Sequence, residues 1–190
     1  MADRVELTDP RALRAYAHPV RMLLLGLLRR EGPKTATEAA PIVGESVASC
    51  SFHLRQLAKY GLVEEVTGGK GRAKPWRATA RYTSWRPDSD DPEMAAAATL
   101  LERQILDGYH QQALDWLTRR DQENQAWRRA GQSNDDMLYL TATEARQFGE
   151  RTHALGEEYR GRSLDPESRP KGSRPVRIIN LIFPYEQTEP

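Results

Sequence analysis

Between Ser46 and Arg77 the chain gathers hydroxyls, an amide, an aromatic ring and a run of cations, first at helical and then at strand spacing. If Val47, Cys50, Leu54 and Leu57 face a core, helical geometry turns Ser49, Phe52, Gln56 and Lys59 outward. Such a set suits a flat-edged polyanion. Ser49 and Gln56 can hydrogen-bond base edges, Phe52 can meet a thymine methyl, and Arg55 and Lys59 can neutralise phosphates. Ser46 stands at the helix start, where a hydroxyl and free backbone amides also favour a phosphate. Farther on, Lys70, Arg72, Lys74 and Arg77 crowd around Gly68, Gly69 and Gly71. They suit backbone phosphates, or one arginine inserted in a minor groove.

The flanking sequence supplies elements to position these groups. Asp9-Pro10 caps and opens a helix to about residue 17, and His18-Pro19 restarts another. Val20, Leu23, Leu24, Leu27 and Leu28 then recur as one apolar helical face, which Gly32 ends. Thr35-x-x-Glu38 is a capping box for a short third helix ending at Gly44, with Pro41 inside it as a kink or a delayed start. Residues 46–60 form the fourth helix. From Leu62 to about Tyr82 the pattern changes to two strands around a glycine-rich tip, and Pro75 makes the second an edge strand. This is a helix-turn-helix followed by a basic hairpin.

Charge distribution agrees. The 190-residue chain carries a net charge of +1, but residues 1–86 hold 15 Lys/Arg against 8 Asp/Glu, a net +7, and residues 87–190 hold the opposite excess, −6. A basic half implies a polyanionic partner, and an acidic half should stay off it. The single cysteine, Cys50, excludes an internal disulfide and a multi-thiolate metal site. On the buried face of the fourth helix it reads as a small hydrophobe rather than a redox switch. No apolar run is long enough to cross a membrane, and the polar N-terminus is no signal peptide, so a cytoplasmic protein is expected.

At this point a resemblance emerges. Residues 10–83 resemble the ArsR-type winged-helix transcriptional regulators. His18-Pro19-Val20-Arg21 with its leucine run is similar to that family's opening of the second helix. Ser49-Cys50-Ser51-Phe52-His53-Leu54, Leu57 and Tyr60-Gly61-Leu62-Val63 are similar to its recognition helix and wing entry. The resemblance implies a homodimer on a twofold-related operator of double-stranded DNA, usually a repressor released by a signal. Many relatives sense metals through paired cysteines in the third helix. Here that helix reads TATEAAPIVG, without thiol or imidazole, so no metal site carries over.

The remainder resembles larger relatives with an added helix-and-strand domain. Pro87 to Pro92 reads as an acidic linker. Residues 93–119 form a long helix whose stripe of Met94, Ala97, Leu101, Ile105, Ala113, Trp116 and Leu117 either joins a dimer or packs on its own C-terminal domain. Met137–Leu140 is expected as a strand. Thr141-x-x-Glu144 is a second capping box opening a helix to about Arg162, residues 163–175 form a Pro/Ser/Arg-rich connection, and Val176–Phe183 is a final strand. Tyr109, Trp116, Tyr139, Phe148 and Tyr159 are candidates to line an effector pocket, against the plainer reading of core packing. His18, His53, His110 and His153 are scattered, and no Gly-rich phosphate loop, nucleophile elbow or triad motif occurs.

The expected fold is therefore α+β, mainly α: a winged helix-turn-helix at 1–86, a linker at 87–92 and a dimerisation or effector domain at 93–190. The expected function is a DNA-binding regulator, a homodimeric repressor without cofactor or catalytic residues, gated by an unknown signal, a small-molecule or protein effector, at its C-terminal domain. Two alternatives stay open: gating by a partner protein, and an enzyme-like C-terminal domain tethered to DNA.

Overall fold

The computed structural model describes residues 2–66 and 74–185. They fall into two compact units, Met1–Thr118 and Arg119–Pro190. The first contains β1 (Ala2–Glu6), α1 (Pro10–Tyr16), α2 (Pro19–Glu31), α3 (Ala36–Val43), α4 (Val47–Lys59), β2 (Val63–Glu65), β3 (Trp76–Ala78), β4 (Ala80–Ser84) and α5 (Pro92–Arg119). The second contains α6 (Gln125–Ala130), α7 (Ala142–Glu157) and α8 (Gly161–Leu164). The fold is α+β and mainly α, a helix-turn-helix with a hairpin followed by a long helix.

Local chemistry sets the helix boundaries. The Asp9 carboxylate accepts from the Arg11 amide at 2.8 Å and caps α1. Thr35 and Glu38 form the full capping box of α3, and Thr141 and Glu144 that of α7. Pro41 lies within α3 without ending it. Gly44 ends the helix at φ 72°, a left-handed conformation costly for residues with a Cβ. Leu24, Leu25, Leu27 and Leu28 of α2 and Cys50, Leu54 and Leu57 of α4 are buried in one core with Leu13, Leu62 and Val63.

Two faces differ from the sequence expectation. Leu23 is 51% exposed and Leu25 takes its place inside, while Val47 is 45% exposed at the first turn of α4. The inward stripe of α4 is completed instead by His53, which is buried. Val47 lies beside Ala36 and Thr37 at the start of α3 rather than in the core.

The sheets are small. β2 and β3 pair antiparallel, Val63 opposite Ala78 and Glu65 opposite Trp76. β1, unforeseen in the sequence, lies parallel to β4, Ala2 opposite Ala80 and Glu6 opposite Ser84. It continues into Leu7, which is buried and donates its amide to the Ser84 carbonyl at 2.8 Å. Arg29 ties this sheet to the helices. Its Nε donates to the Ala80 carbonyl at 3.0 Å and its Nη2 to Thr83 Oγ1 at 2.8 Å. Burial lowers its pKa below the ordinary guanidinium range, and the neighbouring Tyr16 opposes that shift.

The division between units falls at Thr118–Arg119, not at the 87–92 linker. Met94, Ala97, Ala98 and Leu101 of α5 are buried in the first unit's core, with Ile105 packed against it. The early part of the α5 stripe thus packs in the first unit, not on a C-terminal domain as the sequence suggests. In the second unit, the expected strands at 137–140 and 176–183 are not formed. Ile178 is 79% and Tyr139 92% exposed. Their β-prone composition is not matched by a paired neighbour, and strand propensity alone does not hold a ladder. α7 also stops at Glu157 rather than near Arg162, and α6 forms behind an Asn124 cap that the sequence reading missed.

Arg29 links α2 to β4 with two part-buried hydrogen bonds, so Arg29→Ala should destabilise the first unit by about 2 kcal/mol. Urea unfolding followed by far-ultraviolet dichroism checks this. An unchanged midpoint would remove Arg29 from the account of how β4 is held.

Candidate nucleic-acid interface

Gly44 turns the chain from α3 into α4, and the Glu45 amide donates back to the Ala40 carbonyl at 3.1 Å. Ser46 then caps α4, its hydroxyl accepting from the Ser49 amide at 3.1 Å. The cap fixes the helix start and leaves Ser46 at the surface. Phe52, Arg55 and Lys59 are exposed along α4, and Ser49 and Gln56 are half-buried on its flanks. The outward set read from the sequence is thus presented on one helix. The Lys59 ammonium also lies 5.5 Å from the Tyr60 ring centre.

The hairpin divides its charges between two faces. Successive strand residues alternate, so Glu65 and Trp76 share the face toward the helices, and Glu64 and Arg77 the face away from them. Arg77 Nε pairs with Glu64 at 2.8 Å, and Lys74 Nζ with Glu65 at 3.1 Å. A cleft of about 360 Å³ opens between the start of α3, the side of α4 and this hairpin. Thr37, Ser51, Arg55, Glu65, Lys74 and Trp76 line it together with Ala36 and Val47. Arg55 is steadied along its wall by donating to Ser51 Oγ at 2.8 Å. The structure therefore brings Arg55 and Lys74 together, and puts Arg77 on the opposite side of the hairpin. Lys70 and Arg72 lie outside the described residues.

Beneath the exposed face of α4 sits a pair of imidazoles. His18, at the N-cap of α2, lies against His53 with ring centres 4.5 Å apart and planes tilted by 39°, and Phe52 packs edge-on against His53 at 5.2 Å. No described residue supplies either Nδ1 with a hydrogen-bond partner. Burial pushes both pKa values down, with the Arg21 charge adding to the effect and Glu45 opposing it. Cys50 is fully buried nearby and its thiol is pushed up, chiefly by burial.

Residues 16–66 match the family model of a helix-turn-helix domain. The matched stretch runs from the end of α1 to the end of β2 and includes the whole turn between α3 and α4. A helix-turn-helix is a DNA-binding module whose second helix enters the major groove. No curated protein matches the chain.

Away from this domain the sequence reading needs one correction. The acidic excess is not a property of the C-terminal unit. Residues 87–118 hold one Lys/Arg and seven Asp/Glu, a net −6, whereas residues 119–190 hold 12 of each. The acidity lies on α5 and the segment before it. Of the aromatic residues considered for an effector pocket, Tyr109 and Trp116 are half-buried on α5, while Tyr139, Phe148 and Tyr159 are exposed in the second unit. Within that unit, Arg174 reaches Glu123 through two hydrogen bonds of 2.8 Å and lies 4.9 Å from the Trp127 ring centre. Neither contact was legible from spacing, since 51 residues separate the charged pair. Among the described residues, no helix is long and apolar enough to cross a membrane and no three-residue cluster could hold a metal ion.

The imidazole pair gives a pH dependence of definite sign. Both histidines have folded-state pKa values below the ordinary 6.5. The unfolded chain therefore binds protons first as pH falls, so the pair's contribution to stability is present above about 6.5 and declines as pH falls below it. Urea midpoints at about pH 7.5 and about pH 5.5 should show this loss, and His18→Asn with His53→Gln should shrink it. An equal acid sensitivity in the double variant would assign the effect to other groups.

Proposed function

We propose that the chain is a transcriptional regulator of the ArsR type, acting in the cytoplasm without enzymatic activity of its own. The observation that carries this reading is the exposed face of α4 standing beside a hydroxyl- and cation-lined cleft, within a matched helix-turn-helix domain. In the proposed complex α4 lies in the major groove of duplex DNA. Ser49, Phe52 and Gln56 meet base edges. The flanking backbone passes between α4 and the hairpin, where Arg55, Lys74 and Thr37 meet phosphates, with Lys59 and Ser46 contacting it along the helix. Arg77 adds charge from the hairpin, and Lys70 and Arg72 add charge from the sequence between its strands.

The reading includes a homodimer that represses from a twofold-related operator. α5 supports it. Its later turns expose Leu106, Leu114 and Leu117, beyond the buried Leu101 and the core-packed Ile105. Leu106 and Leu117 are three helical turns apart on one side, and they offer a second copy an apolar stripe. Signal gating, by a small molecule or a partner protein, is assigned to the C-terminal unit, whose exposed apolar residues are the material for a contact.

Two outcomes test this function. A dimer neutralising about six to ten phosphates should bind duplex DNA with a log K against log salt slope of about −5 to −9. Gln56→Ala should cost about 1–3 kcal/mol on the operator and little on random DNA, whereas Lys59→Ala should weaken both alike. A flat salt dependence, or loss of sequence preference only in the lysine variant, would reverse the assignment.

The dimer is tested separately. Leu106→Glu with Leu117→Glu should halve the mass seen by light scattering while leaving the first unit folded, since neither side chain belongs to its core. A double variant with the wild-type mass would place the contact elsewhere.

A further inference from the structure

Three features of the first unit stand outside the DNA contacts assigned above: the imidazole pair, the lone buried thiol, and the carboxylates of β2. The last bears directly on binding. Glu64 and Glu65 are adjacent and both exposed, and each holds a cation of the hairpin. Their surroundings differ. Glu64 lies with Arg77 on the face turned away from the helices. Glu65 lies in the cleft with Lys74, Arg55, Ser51 and Thr37.

A carboxylate in that position has the charge and acceptor oxygens of a backbone phosphate. Its side chain is 45% exposed and that of Lys74 is 62% exposed, so the ion pair contributes little to stability. Toward an incoming phosphate its effect is larger. The two anions would share one cleft, well within the screening length of about 8–10 Å. We propose that Glu65 is a built-in competitor for the phosphate site: it holds Lys74 in the free protein and must release it when DNA binds. The inference rests on the DNA reading above and names the residue that limits affinity at that site.

The exchange has a counterion signature. DNA entering the cleft gives up a condensed cation as Lys74 takes the phosphate. Glu65, left without its lysine, takes a cation back and offsets that release. Replacing the carboxylate with an amide removes the offset and leaves Lys74 free. Glu64→Gln removes the same charge from the same strand, but on the other face, so it separates competition in the cleft from a change in net charge.

The experiment measures fluorescence anisotropy of a mixed-sequence duplex of about three helical turns over a range of potassium chloride concentrations. The full chain is compared as wild type, Glu65→Gln and Glu64→Gln. Glu65→Gln should bind about two- to five-fold more tightly, with a salt slope steeper by up to about one. Glu64→Gln should gain less and leave the slope near wild type. Thermal melts of all three should coincide, because both substitutions are isosteric and exposed. Equal or weaker binding by Glu65→Gln, or an equal gain in both variants, overturns the competitor while leaving the DNA reading intact. A wild-type protein that binds no duplex even at low salt overturns both.

Discussion

Leu24, Leu25, Leu27 and Leu28 of α2 and the Cys50–Leu54–Leu57 face of α4 are buried to near completion in a single core. A helix read from one side has to be held from the other, and in a 13-residue helix that leaves few positions for packing. Isolated helices of this length are marginal in water. The outward face of α4 therefore keeps its shape only while its inward face stays packed. Truncating either buried leucine to alanine falls in a class of change costing about 2–5 kcal/mol, a large fraction of a small domain's stability.

Other elements brace that seam. The αL turn at Gly44 sets the angle at which α4 leaves α3. The hairpin closes over Leu62 and Val63, and the first turns of α5 complete the core with Met94, Ala97, Ala98 and Leu101. Arg29 brings β4, and through it β1, against the same helices. The long helix is thus mechanically continuous with the DNA-facing domain. Any contact made along its exposed later turns acts on an element whose beginning is already part of the core beneath α4.

Features decided by neighbouring residues were legible in the sequence, and those decided by distant ones were not. The capping boxes at Thr35 and Thr141 and the Asp9-Pro10 start each need only a side chain and an amide within three residues. All three appear as the pattern requires. The pairing of β1 with β4 joins residues 78 positions apart, and a single Val5-x-Leu7 alternation is too short a signal for it. Met137–Leu140 and Val176–Phe183 have strand-forming composition, but pairing depends on what lies beside them. The outward residues of α4 followed from helical period, whereas the partners of Lys74 and Arg77 required the register of β2 against β3. A count of cations around the tip could not reveal that two were already neutralised. The acidic excess was likewise visible as a sum, but its place on α5 and the segment before it depended on where the first domain ends.

The lone thiol of Cys50 has a practical meaning. It is wholly enclosed on the inner side of α4, beneath the residues turned toward solvent. A chemical reagent can reach it only when α4 lifts from its seat, and there is no other cysteine to contribute to the signal. The rate at which this one sulfur is modified under native conditions is thus a count of openings. The molecule carries its own gauge of how firmly the recognition surface is held, readable in the intact chain without an introduced label.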